Sequence, residues 1–352
     1  MRKVLIPVLV VVLVAAGVAT WLLNRKNTPA KSATTTTSTT TTVPPPIAPL
    51  TGLPDPGGAA LTRPALTVKI ENTPDALPQW GVDQADVVYE EIVNGGITRL
   101  AAIFNSHAPA KVGPVRSVRP TDTQVVWPLG GIFAYSGGAA YAVASIETAP
   151  VKLIDESSAG TAMFRDLSLQ APHNLFAVAP ELFALGKTLG AAPVPPPSLF
   201  TYQSPGQKVT GPKVTSFTVE FPSIYPVTWT WDTTSLSWDR TLFGKADVTG
   251  TGVRESPKNV IVMFVNYVNG IGTMSSYADL QGSGTVDVFT DGREERGTWT
   301  RGPSKSDELE YQNAAGTPIA LTPGQTWVEL LNVGAPVNVV TPVTTTTAPA
   351  SG

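Results

Sequence analysis

The 352-residue chain carries 24 Lys+Arg against 27 Asp+Glu, is only 14% charged, and has eight tryptophans but no cysteine. The missing thiol excludes disulfides, thiol catalysis, zinc–cysteine and iron–sulfur sites, and a lipid-modified N-terminal cysteine. With 42% hydrophobic residues, the chain is long enough for one large domain or two ordinary ones, each with a real core.

Residues 1–26, MRKVLIPVLVVVLVAAGVATWLLNRK, contain no charge from Val4 to Leu23. Twenty helical residues span ~30 Å, about one hydrocarbon core. Gly17 and Ala19 would suit cleavage as a signal peptide, but Trp21, Leu22 and Leu23 carry the apolar run past that point. The expectation is an uncleaved single-pass anchor in the plasma membrane, with the folded part extracytoplasmic. Secretion after cleavage is the alternative. Residues 27–48 are Thr/Pro-rich without apolar periodicity and read as a disordered stalk; residues 334–352 read as a tail of the same material. Residues 1–46 hold five basic residues and no acid, so the remainder carries 19 basic against 27 acidic, a net of −8. An acidic exported domain is a poor general nucleic-acid binder. No nucleic-acid partner is expected, and any anion site must come from a local cluster.

Between the stalk and the tail, the pattern changes once. Residues 49–198 mix strand and helix signals. LTVKIEN (66–72) alternates as a strand, and ADVVYEEIV (85–93) and TRLAAIFNS (98–106) read as strands joined through a glycine turn. TDTQVVWPL (121–129) and AAYAVASIETA (139–149) read as helices either side of the buried strand GIFAYSGG (131–138). APELFALGKTLG (179–190) has Pro180 at its start and Gly190 as its stop. After AAPVPPPS (191–198), residues 199–333 are nearly all strand: 213–221, 226–232, 235–243, 259–268, a hairpin over 284–301 turning at Asp291-Gly292, and 326–330. A mixed α/β domain followed by a β-rich domain makes the fold class α+β.

The stretch GPVRSVRPTDT (113–123) places Arg116 and Arg119 between Pro114 and Pro120 in a charge-poor chain. Arg99 starts the strand just before it. Later, FRDLSLQAPHNL (164–175) adds Arg165, His173 and Asn174, and YSGG (135–138) offers Ser136, Gly137 and Gly138 as backbone donors. Arginine's planar fork suits phosphate, pyrophosphate or carboxylate bidentately, and glycine amides can approach an anion closely. These nine residues are the candidate anion site. The competing reading is structural: arginines in ion pairs with Asp83, Asp86, Glu90, Glu91 or Asp122. No established catalytic signature is present, and Ser136 has no base beyond His173, so no catalytic residue is assigned.

PLTGLP (49–54), QADVVYEEIVNGGITRLAAIFNS (84–106), VGPVRSVRPTD (112–122), APHNL (171–175), VFTDGREERGTW (288–299) and PIALTPGQTWVEL (318–330) closely resemble the YerB-like family of bacterial cell-envelope proteins. The resemblance runs in order over about 49–331. It implies two successive domains of unknown function, in proteins that are frequently lipoproteins; without cysteine, this chain would use its apolar segment as the anchor instead. The order of an acid-ended strand, an arginine loop and a glycine turn is also similar, as an analogy, to LytR–CpsA–Psr wall-polymer transferases.

The reading favoured by these signals is a membrane-anchored envelope protein that binds an anionic cell-wall polymer or lipid-linked precursor in its first domain. The alternatives are a phosphoryl or glycan-phosphate transferase and a purely structural or protein-interaction module. No cofactor is expected, except Mg²⁺ on the transferase reading, with Asp86 or Asp122 as its holders.

Overall fold

The computed structural model describes residues 44–222 and 226–342. The expected anchor and most of the stalk lie outside them, as do residues 343–352 of the expected tail; the described part of that tail is not disordered, since Val337–Val340 form a strand paired with Ser216–Val219. Among the described residues, no helix is long and apolar enough to cross a membrane. The first part of the chain builds strands β1 (Leu66–Glu71), β2 (Val87–Ile92), β3 (Thr98–Phe104), β4 (Ile132–Tyr135), β5 (Lys152–Asp155), β6 (Met163–Arg165) and β7 (Leu175–Ala177). Its helices are α1 (Pro120–Val126), α2 (Ala140–Ile146) and α3 (Ala179–Thr188). The second part adds β8 (Thr201–Tyr202), β9 (Ser216–Glu220), β10 (Pro226–Asp232), β11 (Ser237–Leu242), β12 (Lys245–Ala246), β13 (Asn259–Val268) and β14 (Tyr277–Asp279). It ends with β15 (Gly282–Thr290), β16 (Arg293–Arg301), β17 (Glu310–Asn313), β18 (Ala320–Leu321), β19 (Thr326–Asn332) and β20 (Val337–Val340). The class is α+β.

One 11-stranded sheet dominates, in the order β17-β16-β15-β13-β19-β2-β3-β1-β4-β5, with β14 on β13. It draws on both sides of residue 198. β19 lies parallel to β2, with Glu329 opposite Glu90, and also parallel to β13. β1, β4 and β5 are parallel to one another. Such strands need both faces covered, and they are. α3 lies over one face, where Leu182 joins Leu66, Val68, Ile132 and Ile154. α1 and α2 cover the other, where Val126, Ala142 and Ile146 pack on Phe133 and Tyr135.

A smaller sheet, β12-β11-β10-β9-β20, packs on the face of the main sheet that carries Trp327. Its aromatic alternation makes the contact. Phe217 of β9 stacks on Phe289 of β15 with centroids 3.5 Å apart, and Trp229 of β10 meets Trp327 of β19 edge-on at 5.3 Å. The strand β2 is buried throughout. Its two glutamates are inside because each face holds a cation carried by another strand.

Candidate functional site

The site lies where β1 and β4 part. The two strands pair only over Leu66–Val68 and Ile132–Ala134. Beyond that the arginine loop wedges between them. The amide of Glu71 donates to the Pro114 carbonyl at 2.9 Å and that of Arg116 to the Lys69 carbonyl at 2.8 Å. On the other side, Ser136 N–H donates to the Arg116 carbonyl at 3.0 Å and Val118 N–H to the Gly137 carbonyl at 3.0 Å. The loop is therefore a short strand-like insert fixed on both edges. Gly113 opens it at φ 142°, where a Cβ would sit 2.9 Å from the Leu175 carbonyl oxygen. Ligands in open α/β sheets usually sit outside the carboxyl ends of the strands; here the loop itself fills the gap between β1 and β4 and carries its arginines at that end.

Three guanidiniums converge there. Arg99, at the start of β3 and only 6% exposed, sits opposite Glu71 on one side and Glu91 on the other. Its Nη1 donates to the Ser117 carbonyl at 2.9 Å. Arg119 donates from Nη1 to the Val118 carbonyl at 2.9 Å and from Nη2 to Asn94 Oδ1 at 2.7 Å. Arg116 pairs with Glu71 Oε1 at 3.1 Å. Among the described residues, Arg116 is the only one of the three in an ion pair with a carboxylate. The Nε–H groups of all three are buried without a hydrogen-bond partner. Burial and then the neighbouring Arg119 and Arg116 charges push the Arg99 guanidinium down to about 10, with Glu71 and Glu91 pulling the other way. Repulsion among like charges therefore outlasts the attraction of the acids at hand.

His173 joins this centre through Glu71: its Nδ1 lies 2.9 Å from Glu71 Oε2. Arg165 and Asn174 do not reach the arginines by any hydrogen bond or ion pair seen here. The Arg165 guanidinium is held bidentately by Glu156, at 2.7 Å from each oxygen, and donates to Asn174 Oδ1 at 2.8 Å. These two brace the β6–β7 hairpin that presents His173. Ser136 and Gly137 are at the fork through their backbone groups. Gly138 packs against Val118, where a Cβ would approach to 2.7 Å.

The two candidate metal-holding acids are engaged elsewhere. Asp86 precedes β2, at the opposite end of the strand from Arg99, and accepts from the Asn105 and Ser106 amides and the Ser106 hydroxyl. Burial raises its pKa. Asp122 accepts from Lys69 Nζ at 2.7 Å and from the Arg119 amide at 2.6 Å. Burial raises the Asp122 carboxyl to about 6 against the pull of Lys69. Among the described residues, no group of three or more His, Asp or Glu side chains is placed to hold a metal ion.

Sequence reasoning missed Lys69. It is fully buried in β1 and bridges Glu91 and Asp122. Alternation in LTVKIEN puts Lys69 on the polar side of the strand; only its burial in the fold requires a counter-charge inside with it. Four fixed cations (Lys69, Arg99, Arg116, Arg119) thus face three carboxylates (Glu71, Glu91, Asp122), one of which is easily protonated. The local excess is positive in a domain that is acidic as a whole.

A second buried polar centre occupies the opposite face of the sheet. Arg240, with no exposure, pairs with Glu90 at 2.7 Å and with Asp247, and lies over the Trp327 ring at 4.6 Å. Glu90 also accepts from Asn72 at 2.9 Å and Thr98 at 2.6 Å. Glu329, beside it, is held well above the usual carboxylate range by burial and by Glu90. Here the one cation has two carboxylate partners, unlike the arginine fork, although Arg240 Nε, Trp327 Nε1 and Glu329 Oε2 are also buried without a hydrogen-bond partner.

Comparison with known proteins gives a consistent picture. Residues 50–191 match the model "Protein of unknown function (DUF3048) N-terminal domain", and residues 217–328 match the corresponding C-terminal domain. The chain is 35% identical over 131 residues to "Putative lipoprotein YerB" of Bacillus subtilis (strain 168), a match covering 37% of this chain and 39% of that protein. The crystal structure of YerB protein from Bacillus subtilis superposes with a TM-score of 0.72 at 23% identity, over 81% of this chain and 96% of that one. At that identity, the likeness establishes the fold.

Proposed function

The chain belongs to the DUF3048 family, and from that premise we propose that it is a membrane-anchored protein of the cell envelope that binds a phosphate-bearing anion at the arginine fork. The relative named as a lipoprotein supports attachment at the N-terminus. This chain has no cysteine to acylate, so the uncharged run from Val4 to Leu23 takes that role, with the folded part outside the membrane. The observation that carries the binding reading is the under-neutralised cluster. Arg99, Arg116 and Arg119 gather at one end of the sheet with one direct carboxylate partner between them. Arg116 and Arg119 are partly exposed, so an anion reaching their guanidiniums would supply counter-charge that Glu71 alone provides now through charge-assisted hydrogen bonds. Because the loop is pinned to β1 and β4 on both edges, little conformational entropy is lost when it engages a ligand.

The test is isothermal titration of the full chain with inorganic pyrophosphate, alongside thermal unfolding, for the wild type and for Arg119→Lys. Lysine keeps the charge and loses the fork. Loss of one charge-assisted hydrogen bond, ~1.5–3 kcal/mol, predicts roughly a 10–100-fold weaker affinity with a nearly unchanged melting temperature. A variant that melts much earlier while the wild type fails to bind pyrophosphate would make the arginines structural.

A further inference from the structure

Exposed apolar side chains stand on segments that are bonded to partners of the arginine fork. The β6–β7 hairpin that carries His173 also carries Leu167, 89% exposed, and Leu169. The β13–β14 loop carries Ile271 and Met274, the latter 63% exposed. That loop is tied to the same end of the sheet at two points. Gly95 N–H donates to the Gly272 carbonyl at 2.8 Å, in the turn that supplies Asn94 to Arg119. The hydroxyl of Tyr141, itself exposed, donates to the Met274 carbonyl from the first turn of α2, just beyond the glycines that follow β4. Single exposed apolar residues are ordinary on any surface. Here five large ones stand on three segments linked to the fork: the hairpin through His173 and Glu71, the β13–β14 loop through the Asn94 turn, and α2 through Tyr141 on that loop.

Resting on the anion-site reading above, we propose that the ligand is an amphiphile: a phosphate head on Arg99, Arg116 and Arg119, with an apolar chain along Leu167, Leu169, Ile271 and Met274. The charge complement selects the head. The rim selects the tail, because burying a chain against it removes apolar surface from water on both partners. The occupant is a lipid-type phosphate drawn from the membrane, not a free anion of the medium.

The test uses the full chain in phosphatidylcholine nanodiscs, titrated with hexyl phosphate and with methyl phosphate, with empty nanodiscs as the partition blank. Each fully buried methylene raises affinity roughly fourfold, so a partly buried hexyl chain is expected to bind at least ~10-fold more tightly than methyl. The variants Leu167→Ser with Leu169→Ser, and separately Met274→Ser, alter exposed positions that leave folding intact. They are expected to remove most of that gain while leaving methyl phosphate affinity as it is. Equal affinity for the two phosphates overturns the amphiphile and leaves the anion site standing. A hexyl gain that survives in both rim variants overturns the placement of the chain. If neither phosphate binds the wild type, the anion reading fails and this inference fails with it.

Discussion

Replacing Lys69 with methionine isolates the electrostatics of the fork. Lys69 is fully buried and is the shared partner of Glu91 and Asp122, themselves buried. Methionine is close in volume, so the cavity contribution is small. What remains is two carboxylates without their cation, and breaking a buried pair in this way costs ~3–5 kcal/mol. At ~2.1 cal/mol/K of unfolding entropy per residue, a folded segment spanning residues 44–342 loses about 0.6 kcal/mol per degree, so the melting temperature at pH 7 should fall by ~5–8 °C.

The deficit should depend on pH. Asp122 already titrates at about 6 when folded, above its ordinary value of 3.8, so its neutral form is favoured by folding. The stability associated with that group is full below ~4 and is lost as pH rises through about 6. Without Lys69 the folded carboxyl moves higher still. The gap between variant and wild type should therefore widen from pH 5 to pH 8, as followed by calorimetry. A variant as stable as wild type at pH 7, or a deficit constant across that range, would refute the reasoning.

Three further outcomes are expected. Glu329→Gln should change stability by less than ~1 kcal/mol, because burial beside Glu90 already favours the neutral form of Glu329, whereas Glu90→Gln removes a charge partner of the buried Arg240 and should cost several times as much in urea denaturation. Sulfate, whose charge is constant over the range, should bind the fork more tightly at pH 5 than at pH 7, since protonating Asp122 through about 6 leaves Lys69 and the arginines less neutralised; titration calorimetry showing no change would contradict this. Fragments 44–198 and 199–342 made separately should not give cooperative thermal transitions, because β19 must reach β2 and β13 to complete the main sheet.

Strand positions were legible wherever apolar residues ran in blocks. NVIVMFVNYV (259–268) is β13 end to end, and the hairpin turning at Asp291-Gly292 is β15–β16. The order of strands was not legible. Nothing in the sequence near 326–332 says that it belongs beside 87–92, because parallel pairing leaves no local turn signal. Three arginines of the candidate site stood out by local signals, Arg99 at a strand start and Arg116 and Arg119 between two prolines. Lys69 and Arg240 did not, because their partners, Glu91 with Asp122 and Glu90 with Asp247, are brought to them by strand order. Arg165 looked equivalent to the others by residue type. What separates it is Glu156, nine residues earlier, which takes up its fork.

The most direct measurement follows the arginine Nε–H resonances of the ¹⁵N-arginine-labelled full chain during titration with pyrophosphate. Lysine substitutions assign the signals of Arg99, Arg116 and Arg119, whose Nε–H groups have no partner in the unliganded fork. Arg165, with its Nε 2.7 Å from Glu156, serves as the internal reference. The account predicts that the three fork signals shift together and saturably while that of Arg165 stays in place. Fork signals that do not move, or that move no more than Arg165, would contradict it.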